Sequence, residues 1–368
     1  MNFSKESINE EVLLNSLCES FGVSGFEKEM CSCFLENIKE DVDKCFFDVM
    51  GNTYGVIHGT ADGNNIMIEA HADEIGFQVL HIGETGYLYI RRNGGIDEQC
   101  IPGSQVVVIT RNEEYIPGVI GKKPIHLMTT EDRKRTIELN QLWVDTGLEV
   151  NEVKSRISIG DIVAIKPNWQ RLDGNRISGK ALDNKLGVFV LVKVMKSLAE
   201  KRPLYNSVTA VATVQEEVGS RGAVVAGYHV QPDIAVTVDL DFATDVPDCP
   251  SSKYGKIELG KGVVIPINVD CNVELSWQLE KMAQKQGIAY QMSARPHATG
   301  GTNISRLQIV REGVRTISLG IPCRYMHTPV EMCDMRDVYA AIQLLTSFCL
   351  QKNKLQYDGK NQQPVNRS

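Results

Sequence analysis

The sequence predicts an α/β protein whose helix-covered sheet is interrupted by a small all-β insertion. Three observations predict this. From about residue 178 onwards, apolar strand-like runs alternate with helical segments. Between about 75 and 172, helical periodicity nearly vanishes and short strand-like runs alternate with turn signals. The 368 residues are enough for two domains and a sizeable core.

Along the chain, residues 8–40 place Val12, Leu13, Leu14 and Leu17, then Met30, Phe34, Leu35 and Ile38, at helical spacing. They read as two helices broken at Gly22 and Gly25. Short β-like runs follow near 45–58 and at 66–70. GFQVL, GYLYI, QVVVIT, YIPGVI and DIVAIK then alternate with turns such as GETG and NGG, the texture of a small β-barrel or sandwich. One short helix is expected there, near 150–155. Beyond it, 186–198 reads as a buried helix, 207–215 and 233–240 as strands, and 273–286 as an amphipathic helix. A strand at 316–319 and a helix at 335–350 complete the pattern, which argues for a sheet covered by helices. One domain would comprise 1–74 and 175–352, and the insertion 75–172. The polar tail 353–368 has no apolar face and is expected to be mobile.

Composition narrows the function. Hydrophobic residues make up 42% and charged residues 23%, as in ordinary globular proteins, and the net charge of −7 gives no basic field for nucleic acid or an anionic membrane. The N-terminus lacks a basic region followed by an apolar core, and no apolar run reaches the roughly 18 residues of a membrane helix. A cytoplasmic protein is expected. Ten cysteines spread from Cys18 to Cys349 without a CxxC pair read as reduced thiols, with no thiolate zinc site.

Five segments concentrate metal-ligand side chains, each at the end of an expected strand or in the loop after it. Ligands of open α/β sheets bind at those carboxyl ends. In IMIEAHADEIG, His71 would bind a metal and Asp73, two residues on, would orient its ring. In SGKALDNKLG, Asp183 precedes the long apolar helix; it reads as a helix cap or, with two oxygens, as a bridge between ions. In VATVQEEVGSRGA, Glu216 and Glu217 follow an apolar strand and point in different directions, so one can coordinate and the other move a proton. In VTVDLDFATDVP, Asp239 and Asp241 share a strand face, and spacing alone does not choose between them. In SLGIPCRYMHTPVE, His327 follows a strand; of the other histidines only His297 invites attention. Two histidines with several carboxylates suit Zn, Co or Mn rather than Ca or Mg. They exceed the needs of one tetrahedral ion, and two ions roughly 3.5–4 Å apart are a common hydrolytic device.

HADEIGF, GKALDN, QEEVGSRGA, VDLDFATDVP, GGTN and IPCRYMHTPVE, in this order between about residues 23 and 338, resemble the tetrahedral and glutamyl aminopeptidases, also once labelled cellulase M. The resemblance implies an α/β/α metallopeptidase domain with a mixed sheet and an inserted small β-barrel. It implies that His71 and Asp239 hold one divalent ion, Glu217 and His327 a second, and Asp183 both. Glu216 would be the general base, Asp73 the partner of His71, and Asp239 the choice over Asp241. Zn and Co are the expected ions, with Mn a third fit. Peptides with a free N-terminus would be the substrates, and a homo-oligomer, up to a tetrahedral dodecamer, the assembly. Two positions depart from the pattern: Asn303 where relatives usually carry Asp, and Lys185 where they usually carry Arg. Asn303 is expected near the substrate, where it would remove a negative charge.

Two rival readings stay open. One is a related two-metal deacylase or carboxypeptidase. The other is an inactive oligomeric scaffold, for which Asn303 and Lys185 are the support.

Overall fold

The computed structural model of the chain describes residues 5–294 and 301–352, with side chains from residue 10 onwards. The expected tail at 353–368 and His297 lie outside the described residues. After helices α1 (Lys5–Glu19) and α2 (Lys28–Ile38) come β1 (Lys44–Phe47), β2 (Thr53–Ile57) and β3 (Asn65–His71). The chain then leaves the sheet for β4 (Gly76–Ile82), β5 (Leu88–Asn93), β6 (Gln105–Ile109), β7 (Tyr115–Gly121), β8 (Trp143–Asp145) and β9 (Ile162–Ile165), with short helices α3 (Thr130–Lys134) and α4 (Val150–Arg156). These six strands close into a barrel in the order β4-β5-β8-β7-β6-β9. Alternate residues such as Phe77, Val79, Leu88, Ile90, Val106 and Val108 fill it, forming a core of its own.

The chain returns through β10 (Gln170–Arg171), β11 (Arg176–Gly179), α5 (Leu182–Ala199), β12 (Ser207–Thr213), α6 (Arg221–Val230) and β13 (Ile234–Phe242). It ends with α7 (Ser251–Tyr254), β14 (Val263–Pro266), α8 (Val273–Gln286), β15 (Tyr290–Ser293), α9 (Asn303–Leu307), β16 (Arg315–Arg324), β17 (Glu331–Asp334) and α10 (Met335–Cys349). The main sheet has 11 strands in the order β1-β2-β12-β3-β13-β16-β17-β11-β10, with β14 and β15 branching from β16. Its centre, β12-β3-β13-β16, is parallel, and antiparallel strands flank it. Burial on both faces explains why these central strands read as nearly unbroken apolar runs.

Helices cover both faces, and strand alternation decides which residue meets which layer. Ile66, Ile68 and Ala70 of β3 and Val236, Val238 and Leu240 of β13 pack in the large core with α1, α2, α5, α8 and α10. Met67 and Ala235, one residue out of phase, pack with Ala223 and Ala226 of α6 and Leu307 of α9. His71, Glu69, Asp239 and Thr237 share this second phase. The architecture is therefore the expected mixed-sheet α/β/α unit with a closed β-barrel. No helix among the described residues is long and apolar enough to cross a membrane.

Two local differences from the sequence expectation bear on the site. Strand β16 runs well past 319, although Gly320 and Pro322 read as a break. It pairs with β13 from Arg315 to Cys323, and Gly320 leaves room for Asp241: a Cβ there would lie 2.9 Å from Asp241 Cβ. Helix α6 was not expected. It starts at once after the turn at Gly219, and Gly222 lets its first turn press on the residue that follows β12, where a Cβ would stand 2.4 Å from Val214 O.

Candidate metal centre

The five sequence segments converge at the carboxyl ends of the parallel strands. His71 ends β3, Glu216 and Glu217 follow β12, Asp239 lies near the end of β13, and His327 follows β16. Asp183 comes from the opposite side of the sheet, in the first turn of α5. It is not the helix cap that its position suggested. The cap is Ala181, in the left-handed region, and Asp183 itself has non-helical angles (φ −80°, ψ 103°). Its backbone N–H donates to Glu331 Oε2 at 2.9 Å, which fixes it without a capping bond.

Asp183 divides its two oxygens. Oδ1 lies 3.2 Å from His71 Nε2 and Oδ2 lies 3.5 Å from His327 Nε2. His71 Nε2 is also 3.5 Å from Asp239 Oδ1, and His327 Nε2 is 3.3 Å from Glu217 Oε1. Among the described residues, three overlapping trios have ligand atoms within 4.8 Å of one another: His71–Asp183–Asp239, Asp183–Glu217–His327 and His71–Glu216–Glu217. Asp241 sits on the same cavity wall but belongs to none of them.

The electrostatics follow from the crowding of buried acids around two imidazoles. Burial opposes protonation of His71, yet its contacts with Asp183, Asp239 and Asp73 hold it well above an ordinary imidazole. Burial opposes it at His327 too, but Asp183 and Glu217 push that ring up to about 11. Asp183 is held low against burial by both rings. Burial raises Asp239, with Asp183 adding to it against His71. Burial likewise raises Glu217, against His327. Glu216 is pushed up to about 9 by burial, countered by His71 and reinforced by Asp239 and Glu217. The two rings thus stand among four carboxylates that favour positive charge in their midst. Two imidazoles and mixed carboxylates in overlapping trios fit a pair of divalent transition ions.

Asp73 has a larger part than orienting His71. Its backbone O is the closer partner of His71 Nδ1, at 3.0 Å, and Oδ1 stands 3.5 Å away. The carboxylate instead accepts from Glu216 N at 2.8 Å, Glu217 N at 3.0 Å and Ser24 Oγ at 2.7 Å. It therefore fixes the turn that carries both glutamates. The Glu216 carboxylate accepts one hydrogen bond among the described residues, from Ser220 Oγ at 3.3 Å.

Sequence reasoning assigned no part to Glu331, Glu74 or Lys180. Glu331 is buried and accepts from His327 N at 2.8 Å as well as from Asp183 N, joining two metal-ligand candidates. Its signal was the acid four residues after His327. Glu74, lowered by Lys180 and Lys185 against its burial, binds Lys180 Nζ at 2.7 Å and Gly22 N at 3.1 Å. Lys185 lies 3.5 Å from the same carboxylate and donates to Ser20 O and Cys18 O, at the end of α1. The position therefore serves as a buried clasp behind the site.

Asn303 corrects an expectation. Gly301, Thr302, Ser305 and Arg306 line a cavity of about 440 Å³ beside the trios, but Asn303 is not among the lining residues. Its side chain is buried and donates to Glu69 Oε2 and Thr213 Oγ1, both at 2.9 Å. It meets the sheet rather than the substrate space.

Comparison with known proteins agrees with this geometry. A family model described as M42 glutamyl aminopeptidase matches residues 51–344. The lysyl aminopeptidase of Pyrococcus furiosus is 34% identical over 339 residues, covering 90% of this chain and 94% of that protein. A solved aminopeptidase from the archaeon Desulfurococcus kamchatkensis is 34% identical, with a TM-score of 0.87 and coverage of 94% and 96%. The TET1 peptidase of Pyrococcus horikoshii, described as assembling into a tetrahedron or a large octahedral shell, is 29% identical with a TM-score of 0.82 over 93% of this chain and 99% of that one.

Proposed function

The chain belongs to the M42 glutamyl aminopeptidase family, and from that premise we propose that it is a dinuclear metal-dependent aminopeptidase removing the N-terminal residue of peptides. One observation carries the dinuclear reading: the two oxygens of Asp183 face different imidazoles, each with its own second carboxylate. His71 and Asp239 would hold one ion, Glu217 and His327 the other, and Asp183 both. Zinc and cobalt are the expected ions, and manganese also suits the donors. When bound, such a pair supplies Lewis acidity that activates water and polarises a carbonyl.

The protein's own groups do the rest. Glu216 takes a proton from the attacking water on a carboxylate oxygen and delivers it to the leaving amine. Ser220 Oγ holds that carboxylate from one side. Asp73 keeps Glu216 and Glu217 in register through their backbone N–H groups. The acidic wall draws in the positive α-amino group of a peptide end. As part of the same proposal, the chain divides into a catalytic domain of 1–74 and 175–352 and a barrel domain of 75–172, forms a homo-oligomer with the tetrahedral dodecamer as its expected form, and works in the cytoplasm.

Glu216→Gln tests the reading. It should leave two ions per chain by elemental analysis and lower turnover on aminoacyl anilides by roughly 10²–10⁴-fold. Near wild-type turnover would sink the role of Glu216. Hydrolysis of N-acyl amino acids in preference to aminoacyl anilides would replace the aminopeptidase reading by that of a deacylase.

A further inference from the structure

Directly beneath the row of candidate ligands lies a second polar tier. On β3, Glu69 precedes His71 by two residues and shares its face; on β13, Thr237 stands in the same relation to Asp239. Thr213 ends β12 beside them. Glu69 is fully buried on a face otherwise built from Met67, Val211 and Ala235. A carboxylate there is costly unless satisfied. Oε1 accepts from Thr237 Oγ1, and Oε2 accepts from Thr213 Oγ1 at 3.0 Å and from Asn303 Nδ2 at 2.9 Å. Asn303 spends its second amide hydrogen on Thr213 Oγ1, also at 2.9 Å.

Asn303 is the first residue of α9, a helix of five residues whose flanking and internal positions Gly301, Thr302, Ser305 and Arg306 line the cavity. So short a helix has little stability of its own. Its apolar anchorage includes Leu307 near its far end. At the near end, the polar tie to three strands is made by Asn303.

We propose that Glu69 is a positioning residue for the substrate: through Asn303 it clamps the 301–306 wall of the cavity to the three strands β3, β12 and β13. The inference rests on the aminopeptidase reading of the site. It also explains why an amide stands at 303. A carboxylate there would lie against Glu69 with no hydrogen to give, whereas the amide donates to it. Asn303 Oδ1, buried without a partner among the described residues, shows that the donor half of the amide makes the contact.

Three variants test the clamp: Asn303→Asp, Glu69→Gln, and the two combined. Two readouts are used: KM and kcat on an aminoacyl anilide, and hydrogen exchange of the 301–308 amides in chelator-treated protein. Asn303→Asp should raise KM by roughly tenfold or more and speed exchange in that segment, since a misplaced wall costs positioning. Glu69→Gln should be milder, because Asn303 can flip and offer its Oδ1 to the new amide. The double variant restores a donor facing an acceptor, and should return KM to within about threefold of wild type with slow exchange. Should Asn303→Asp not fold, Asn303→Ala, which removes the donor without adding charge, must show the same rise in KM and in exchange. A double variant no better than Asn303→Asp, or an unchanged KM in Asn303→Asp and Asn303→Ala, overturns the proposal. Wild-type protein inactive on every anilide would overturn the aminopeptidase reading instead, and the exchange data would still judge the clamp.

Discussion

Replacing Asp73 by Asn separates two ways in which this carboxylate could serve the site. In the wild type, two oxygens receive three hydrogens: Oδ1 from Glu216 N, and Oδ2 from Glu217 N and Ser24 Oγ. An asparagine keeps one oxygen and turns an NH2 toward the rest. Ser24 can rotate to accept, but one backbone N–H of the 216–217 turn is left facing a donor. An orphaned buried donor costs about 1–3 kcal/mol, and bonds to a charged acceptor stand at the upper end. At about 1.4 kcal/mol per tenfold, the expected loss is roughly 10–100-fold, the range also typical of changes behind a metal ligand. Metal affinity would be measured by competition with a chromophoric chelator, and kcat/KM on an aminoacyl anilide. If the carboxylate works through the turn, both ions should weaken, because Glu217 faces His327 while Asp73 also stands beside His71. Turnover should fall as well, because Glu216 moves with the turn. Loss of a single ion with turnover unchanged would refute the turn argument and leave Asp73 as a partner of His71 alone. Values within about twofold of wild type in both assays would refute any positioning role.

Three further outcomes are expected. Asp183→Ala should abolish binding of both ions rather than one, read by elemental analysis, because its two oxygens face the two imidazoles. Glu27 is pushed up to about 7 by burial and then by Asp73. A carboxyl raised in the fold stabilises it below the unfolded value of about 4.5 and loses that advantage as pH climbs through about 7. Glu27→Gln should therefore flatten denaturant stability between those pH values and gain as much as about 3 kcal/mol at pH 8. The backbone donors Gly25 N and Gln215 N already share one oxygen, which glutamine can retain. Gly222→Ala should cost about 1–3 kcal/mol and lower activity, because its Cβ would meet Val214 O and Asn52 Oδ1 at 2.4 Å and displace the glutamate turn.

What could be read from the sequence followed from what periodicity encodes. Strands β3 and β13 are buried on both faces, so their apolar runs announced them, and so did the polar residues at their ends. Helix α6 was hidden because its start overlaps a glycine-rich turn, and turn chemistry masks a helix whose first residues are Arg221 and Gly222. Asp183 shows the same limit more sharply. An acid before an apolar helix is locally a cap, whereas here the backbone N–H of Asp183 is held by Glu331, 148 residues away. The second polar tier lay further out of reach. Within IMIEAH, Glu69 reads as one polar residue in an apolar strand, and its neighbours Thr213, Thr237 and Asn303 belong to three other elements. Ligand types stand out one segment at a time because metal chemistry restricts them to a few side chains. Supports do not, since a threonine hydroxyl or a backbone N–H serves as well as any other donor. A departure such as Asn303 therefore carries more information about the support than about the substrate: its amide supplies a hydrogen that the buried Glu69 carboxylate accepts.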